Sequence, residues 1–313
     1  MKAKTIKKVI GQKINNWLDS IDDEEVRTLA ATNTIVTGGC IASMLLQESV
    51  NDFDIYFRNK ETAVSVAMYY VKKFKDNLPV SFENGRTVEI FVKTNTPDDD
   101  DRVKIIVKSA GVAGENSSKE SYGYFEQNAA IGQQEFIDVS MPEDGDEAAQ
   151  AVEAAEENGG NKYRPVYLSS NAVTLSDKIQ IIIRFFGDPD EIHKNYDFAH
   201  CTNYWTSWEN KLVLRPAALE AIITRELVYI GSKYPLCSII RTRKFIKRNW
   251  CINAGQFVKM AMQLNELNLL DINVLEDQLT GVDVAYFVQI IDKLKGKEDI
   301  TTAYIIEIID RMF

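Results

Sequence analysis

The sequence predicts an α+β protein: a head built on a mixed β-sheet, followed by a mostly helical C-terminal domain. Three observations predict it. Apolar residues at helical spacing open the chain, namely Val9, Ile10, Ile14, Trp17 and Leu18. Short β-branched and aromatic runs broken by turn residues then fill two stretches, 34–57 and 79–185. After residue 210 the helical pattern returns.

The elements follow in order. KKVIGQKINNWLDSIDDEEVRTLAAT reads as one or two helices, NTIVTGG as a short strand broken by glycines, CIASMLLQESV as an apolar helix, DFDIYF as a second strand and KETAVSVAMYYVKKF as a further helix. RTVEIFVK, RVKIIVKSA, QQEFIDVSM, RPVYLSS and NAVTLSDKIQIIIRFF read as β segments joined by long Gly-, Ser- and Asp-rich loops. NYDFAHCTNYW closes the strand-rich part, and KLVLRPAALEAIITRELVYIG opens the helical half. The expected domains are therefore 1–210, carrying an acidic, mobile insertion near 142–162, and 211–313.

Composition narrows the function. With 313 residues, 45% of them hydrophobic, the chain folds around a real core. A net charge of -10 excludes coating nucleic acid by general attraction but leaves room for a local basic groove. Much of the acid lies in PDDDD at 97–101 and in the run at 143–157. No apolar run approaches the ~20 residues of a membrane span, and MKAKTIKK leads into an amphipathic helix instead of a signal core, so a cytoplasmic protein with no membrane partner is expected. Cys40, Cys201, Cys237 and Cys251 form no CxxC and are expected as buried reduced thiols.

The chemistry concentrates in TGGCIASMLLQESVNDFDIYF, Thr37 to Phe57. Side chains alternate along a strand, so Asp52, Asp54 and Tyr56 share one face while Phe53, Ile55 and Phe57 take the core face. Two neighbouring carboxylates repel unless a cation lies between them, which points to a divalent metal; the plain alternative is a solvent-facing polar side. Gly38 and Gly39 permit a tight turn and close approach of a ligand, and the helix that follows offers N–H groups to an anion.

These residues resemble the signature of the DNA polymerase beta-like nucleotidyltransferases: a Gly-Gly or Gly-Ser turn, then Asp-hydrophobic-Asp on a strand, here with twelve residues between Gly39 and Asp52. The resemblance implies a nucleotidyltransferase head in which Gly38, Gly39 and Ser43 handle a nucleoside triphosphate, ATP first, and Asp52 and Asp54 bind two magnesium ions. It also implies a third carboxylate. Glu89, Asp138 and Asp197 each sit between apolar neighbours. GDPDEIHKNYDFAHC resembles the segment through the Arg-Asp-Phe strand of transfer-RNA CCA-adding enzymes, which favours Asp197 as catalytic and metal-binding. The longer stretch around it is similar to nucleotidyltransferase-like proteins that are often phage-encoded.

SIIRTRKFIKRNWCI, at 238–252, resembles a second CCA-enzyme segment through Arg241, Lys244, Phe245, Trp250 and Ile252. On a helix Arg241, Lys244 and Arg248 fall near one face and can reach phosphates, or form a solvated basic face. On the strand KIQIIIR, Lys178, Gln180 and Arg184 share a face, so Lys178 or Arg184 can neutralise a triphosphate. Where CCA-adding enzymes carry Arg-Asp after the glycine turn and a basic residue before the last Asp, this chain has Ala42-Ser43 and Asn195, which sets CCA addition itself apart. The expected acceptor is an RNA 3′ end, with a protein hydroxyl, a small molecule or a catalytically silent binding protein as alternatives. His193 and His200 are expected as packed or hydrogen-bonded residues.

Overall fold

The computed structural model describes residues 1–76, 88–94, 103–109, 125–126, 162–169, 171–279, 294, 297 and 300–312. Asp138, the acidic run at 98–101 and the insertion at 142–161 lie outside the described residues. The chain forms two compact units, Met1–Asp138 with Ala148–Ile192 and Asn203–Leu214, and Val139–Glu147 with His193–Thr202 and Arg215–Phe313.

In the first unit, helix α1 (Ala3–Asp19) buries Ile6, Ile10, Ile14 and Trp17, one stripe at helical spacing. The Trp17 indole donates to the Tyr70 hydroxyl at 2.8 Å, so the polar tips of two fully buried aromatics satisfy one another. Helix α2 (Glu24–Asn33) starts at Asp23, whose carboxylate accepts from the backbone N–H groups of Glu25 and Val26. Strand β1 (Thr34–Thr37), helix α3 (Gly39–Leu46), strand β2 (Phe53–Phe57) and helix α4 (Lys60–Asp76) follow as expected.

Strands β3 (Val88–Thr94) and β4 (Val103–Ser109) form a separate antiparallel pair. The main sheet adds β5 (Phe125–Glu126), β6 (Pro165–Leu168), β7 (Ala172–Leu175), β8 (Ile179–Phe186), β9 (Tyr204–Thr206) and β10 (Lys211–Val213). Its order is β10-β9-β1-β2-β8-β7-β6-β5; β2 and β8 run parallel and the other neighbours antiparallel, so the sheet is mixed. Val36, Ile55, Phe57, Val173 and Ile181 on one sheet face join Ile10, Trp17, Ile41, Tyr70 and Phe74 from the helices in one core. Each such side chain contributes about 1.5–3 kcal/mol of burial.

The second unit is mostly helical, with helices at Pro216–Thr224, Pro235–Lys247, Ala254–Leu264, Ile272–Leu279 and Thr302–Met312. Leu275, Leu279, Leu294 and Ile308 form a small core there. Among the described residues no helix is long and apolar enough to cross a membrane.

Four local expectations are corrected. KLV is the edge strand β10, and the helix after it begins only at Pro216, where a fixed φ and absent N–H suit a first turn. Lys178 is a turn residue: Asp177 and Lys178 adopt φ of 61° and 59°, the left-handed pair that folds β7 onto β8. Tyr196-Asp197-Phe198 is not a strand, because its pairing shrinks to one bridge between Phe198 and Tyr229 before a 3-10 turn at Ala199–Cys201. The cysteines are free, but only Cys40 and Cys237 are buried; Cys201 is half-buried and Cys251 exposed.

Candidate active site

The antiparallel register of β1 and β2 sets Thr37 opposite Asp54, so the chain leaves β1 beside the acid. Gly38 then adopts φ 91° and ψ −155°. A Cβ on Gly38 would lie 2.2 Å from Asp54 Oδ2 and 3.2 Å from its Cγ. Backbone conformation and carboxylate position thus both demand glycine at 38. Gly39 differs, since a Cβ there would meet nothing within 4 Å. It opens α3, whose first-turn N–H groups and dipole end favour an anion.

Asp54 is half-buried on β2, and Asp52, also half-buried, stands just before the strand. Phe53, Ile55 and Phe57 face the core as expected. Tyr56, on the side of Asp54, is also buried, so that face is not a solvated one. The start of β2 is fixed by the β7–β8 turn: Phe53 N donates to Lys178 O at 2.8 Å, and Lys178 Nζ lies 3.5 Å from Val50 O. Lys178 therefore reaches the site mainly through its backbone. Ser43 is buried within α3. Arg184 is buried on β8, its guanidinium 5.6 Å from the Phe185 ring centroid. Glu89 lies on β3, paired in register with Lys108 in the smaller sheet.

Register also exposes what patterning could not. Thr37, Asp54, Gln180 and Thr174 are lateral neighbours on β1, β2, β8 and β7, and so share one face of the sheet. The Thr37 hydroxyl donates to Asn203 O at 2.9 Å. Alternation in IQI placed Gln180 on a polar face, but nothing local assigns it to Asp54.

Within the second unit the structure brings Asp197 and Arg241 together. Arg241 Nη1 donates to Asp197 Oδ2 at 2.7 Å, a charge-assisted bond whose acid is largely buried. The backbone fixes the same residue, with Ile230 N donating to Asp197 O. Lys244, one turn on from Arg241, is exposed. His200 is buried and packs against Trp250, Phe245 and Phe198, with ring centroids at 4.2, 4.7 and 6.1 Å. Burial, with the Arg248 charge second, pulls its imidazole down to about 3. Among the described residues no three His, Cys, Asp or Glu side chains gather into a metal cluster.

Three outcomes follow from these contacts. Gly38→Ala will lower stability by at least about 1–3 kcal/mol, through backbone strain and the clash of its Cβ with the Asp54 carboxylate. Adding Asp54→Ala will recover part of that loss by removing the clash, a non-additivity measurable by denaturant titration. Asp197→Asn and Arg241→Gln will each lose about 1–2 kcal/mol, discounted for the exposure of Arg241, and their double variant will lose less than the sum. For His200 the folded value lies below the unfolded 6.5, so the unfolded state alone takes up a proton between them. Stability will fall as pH drops through that window, by up to roughly tenfold in the folding constant per pH unit. His200→Phe will flatten this slope in melting curves recorded from pH 7 to pH 4.

The profile of the Gabija anti-defense 2 family matches residues 8–225, a span that includes Gly38, Asp52, Asp54 and Asp197. No curated protein matches the chain. Similar solved structures include a Thermotoga maritima CCA-adding enzyme complexed with tRNA-CCA, at 12% identity and a TM-score of 0.36 over 90% of this chain and 53% of that one. A Bacillus stearothermophilus CCA-adding enzyme in complex with CTP has 11% identity and a TM-score of 0.31 over 81% and 46%. A tRNA-processing enzyme in an apo form has 12% identity and a TM-score of 0.34 over 96% and 60%. The chain thus spans roughly half the length of those structures. By the family match, which covers most of its residues, the chain belongs to the Gabija anti-defense 2 family.

Proposed function

We propose that the protein is a metal-dependent nucleotidyltransferase that moves a nucleoside monophosphate from a nucleoside triphosphate, ATP first, to an acceptor hydroxyl, and that this transfer acts against the Gabija defence. The seating of the Asp54 carboxylate over Gly38 carries the reading. It sets an acid, a side-chain-free stretch of backbone and a helix N-terminus side by side, the parts a metal–triphosphate complex needs.

Asp52 and Asp54, both half-buried at the start of β2, offer hard carboxylate oxygens, a donor type that fits magnesium. They would hold it, and when bound it supplies charge neutralisation at the phosphates. The backbone at Gly38 and Gly39 takes the phosphate end of the nucleotide, and the exposed Lys178 adds a cation near the start of β2. The acceptor oxygen bonds to the α-phosphorus as the bond to the bridging oxygen breaks. Pyrophosphate leaves with that electron pair, and the hydroxyl proton passes to solvent. In the second unit Lys244 is the proposed phosphate contact, while Arg241 is held by Asp197.

The favoured acceptor is an RNA 3′ end, from the sequence resemblance. Family membership favours a second reading, in which the acceptor is a hydroxyl on a Gabija protein.

The test is incubation with α-labelled ATP, magnesium, total RNA and the Gabija proteins. Wild-type protein will label RNA under the first reading and protein under the second, with pyrophosphate released in step. Asp54→Asn will fold yet lose transfer by at least about 100-fold, the scale of losing one preorganised electrostatic group. Full turnover in that variant, or Gabija inhibition without any transfer, would falsify the proposal.

A further inference from the structure

Along the sheet face that carries Asp54, the lateral order is Gly38 at the end of β1, Asp54 on β2, Gln180 on β8 and Thr174 on β7. The two residues beyond Asp54 are neutral hydrogen-bonding groups. Gln180 is half-buried. Thr174 is 5% exposed, and its buried Oγ1 makes no hydrogen bond among the described residues. A buried hydroxyl left in that state costs about 1–3 kcal/mol, which a ligand hydroxyl would offset.

In-line displacement puts the leaving and attacking oxygens on opposite sides of the phosphorus. Gly38 and the start of α3 lie on the β1 side of Asp54, where the anion-binding backbone places the leaving pyrophosphate. The attacking hydroxyl therefore comes from the β8 side. We infer that Gln180 and Thr174 form the acceptor subsite and take the vicinal 2′- and 3′-hydroxyls of a terminal ribose. The inference rests on the proposed transfer reaction.

The chemistry of the pair favours a diol. Groups on neighbouring strands lie ~4.8 Å apart, a separation that two adjacent hydroxyls and their hydrogen bonds span. A serine or tyrosine acceptor would satisfy only one of the two. The uncharged amide of Gln180 also adds no repulsion against a polyanionic RNA end, whereas an acid at that position would.

The experiment measures fluorescence anisotropy of a short 5′-labelled RNA ending either in a 2′,3′-diol or in a 2′,3′-dideoxy sugar, with magnesium and a non-hydrolysable ATP analogue present. Wild-type protein will bind the diol end about tenfold more tightly, one hydrogen bond's worth. Thr174→Val and Gln180→Leu will reduce that preference below about twofold. Affinity for the ATP analogue will stay near wild type, and the melting temperature of Thr174→Val will not fall, since valine keeps the shape of threonine and removes its unsatisfied hydroxyl. Equal binding of both ends by wild-type protein, or an unchanged preference in both variants, overturns the subsite. A diol preference in wild-type protein that transfers no label leaves the subsite standing and sinks the transfer reaction instead.

Discussion

The Asp54 carboxylate occupies the volume where any residue but glycine at 38 would place its Cβ. This close approach orders the rest of the first unit. It needs β1 and β2 in a single register, with Thr37 opposite Asp54, and a one-residue slip would turn Asp54 into the core and Ile55 out of it. The register is held from the other face, where Phe53, Ile55 and Phe57 pack with α1, α3 and α4 residues in one apolar cluster. Several side chains at about 1.5–3 kcal/mol each hold that register, while glycine at 38 takes its positive φ without the strain that an L side chain would bring there.

Much of this was legible because it is local. Period-two alternation in DFDIYF put the acids and the apolar residues on opposite faces, and the glycines marked the turn before α3. The same rule misled at Lys178, because alternation runs on through a hairpin in which left-handed residues reverse the chain. It misled again at Asp197, where an alternating NYDFAHC pairs through one bridge and its acid is claimed by Arg241, 44 residues away in sequence. Neither partner leaves a local mark. The row from Thr37 to Thr174 was out of reach for the same reason, since its middle junction sets Asp54 beside Gln180, from strands more than a hundred residues apart.

The basic run Arg241 to Arg248 shows how an acidic chain spends positive charge. Lys244 and Lys247 stand in the last turn of the helix Pro235–Lys247, where cations complement the dipole. Arg241 compensates a largely buried carboxylate. Arg248 lies close enough to His200 to oppose its protonation, adding to the effect of burial. A cluster that reads as one phosphate-binding face is therefore partly structural, while Lys244 is among its exposed members.

The neutrality of the row beside Asp54 has an electrostatic basis. A second carboxylate about 5 Å away would add a repulsion of about 3 kcal/mol at an effective dielectric of 20, borne whenever no cation is present. Glutamine at 180 keeps the polar geometry of that position without adding that repulsion. The negative charge of the site then sits on Asp52 and Asp54 at the start of β2, next to the glycine backbone that opens α3. In the proposed transfer, leaving group and acceptor would separate along the sheet, with the glycine backbone on one side of the acids and neutral hydrogen-bonding groups on the other.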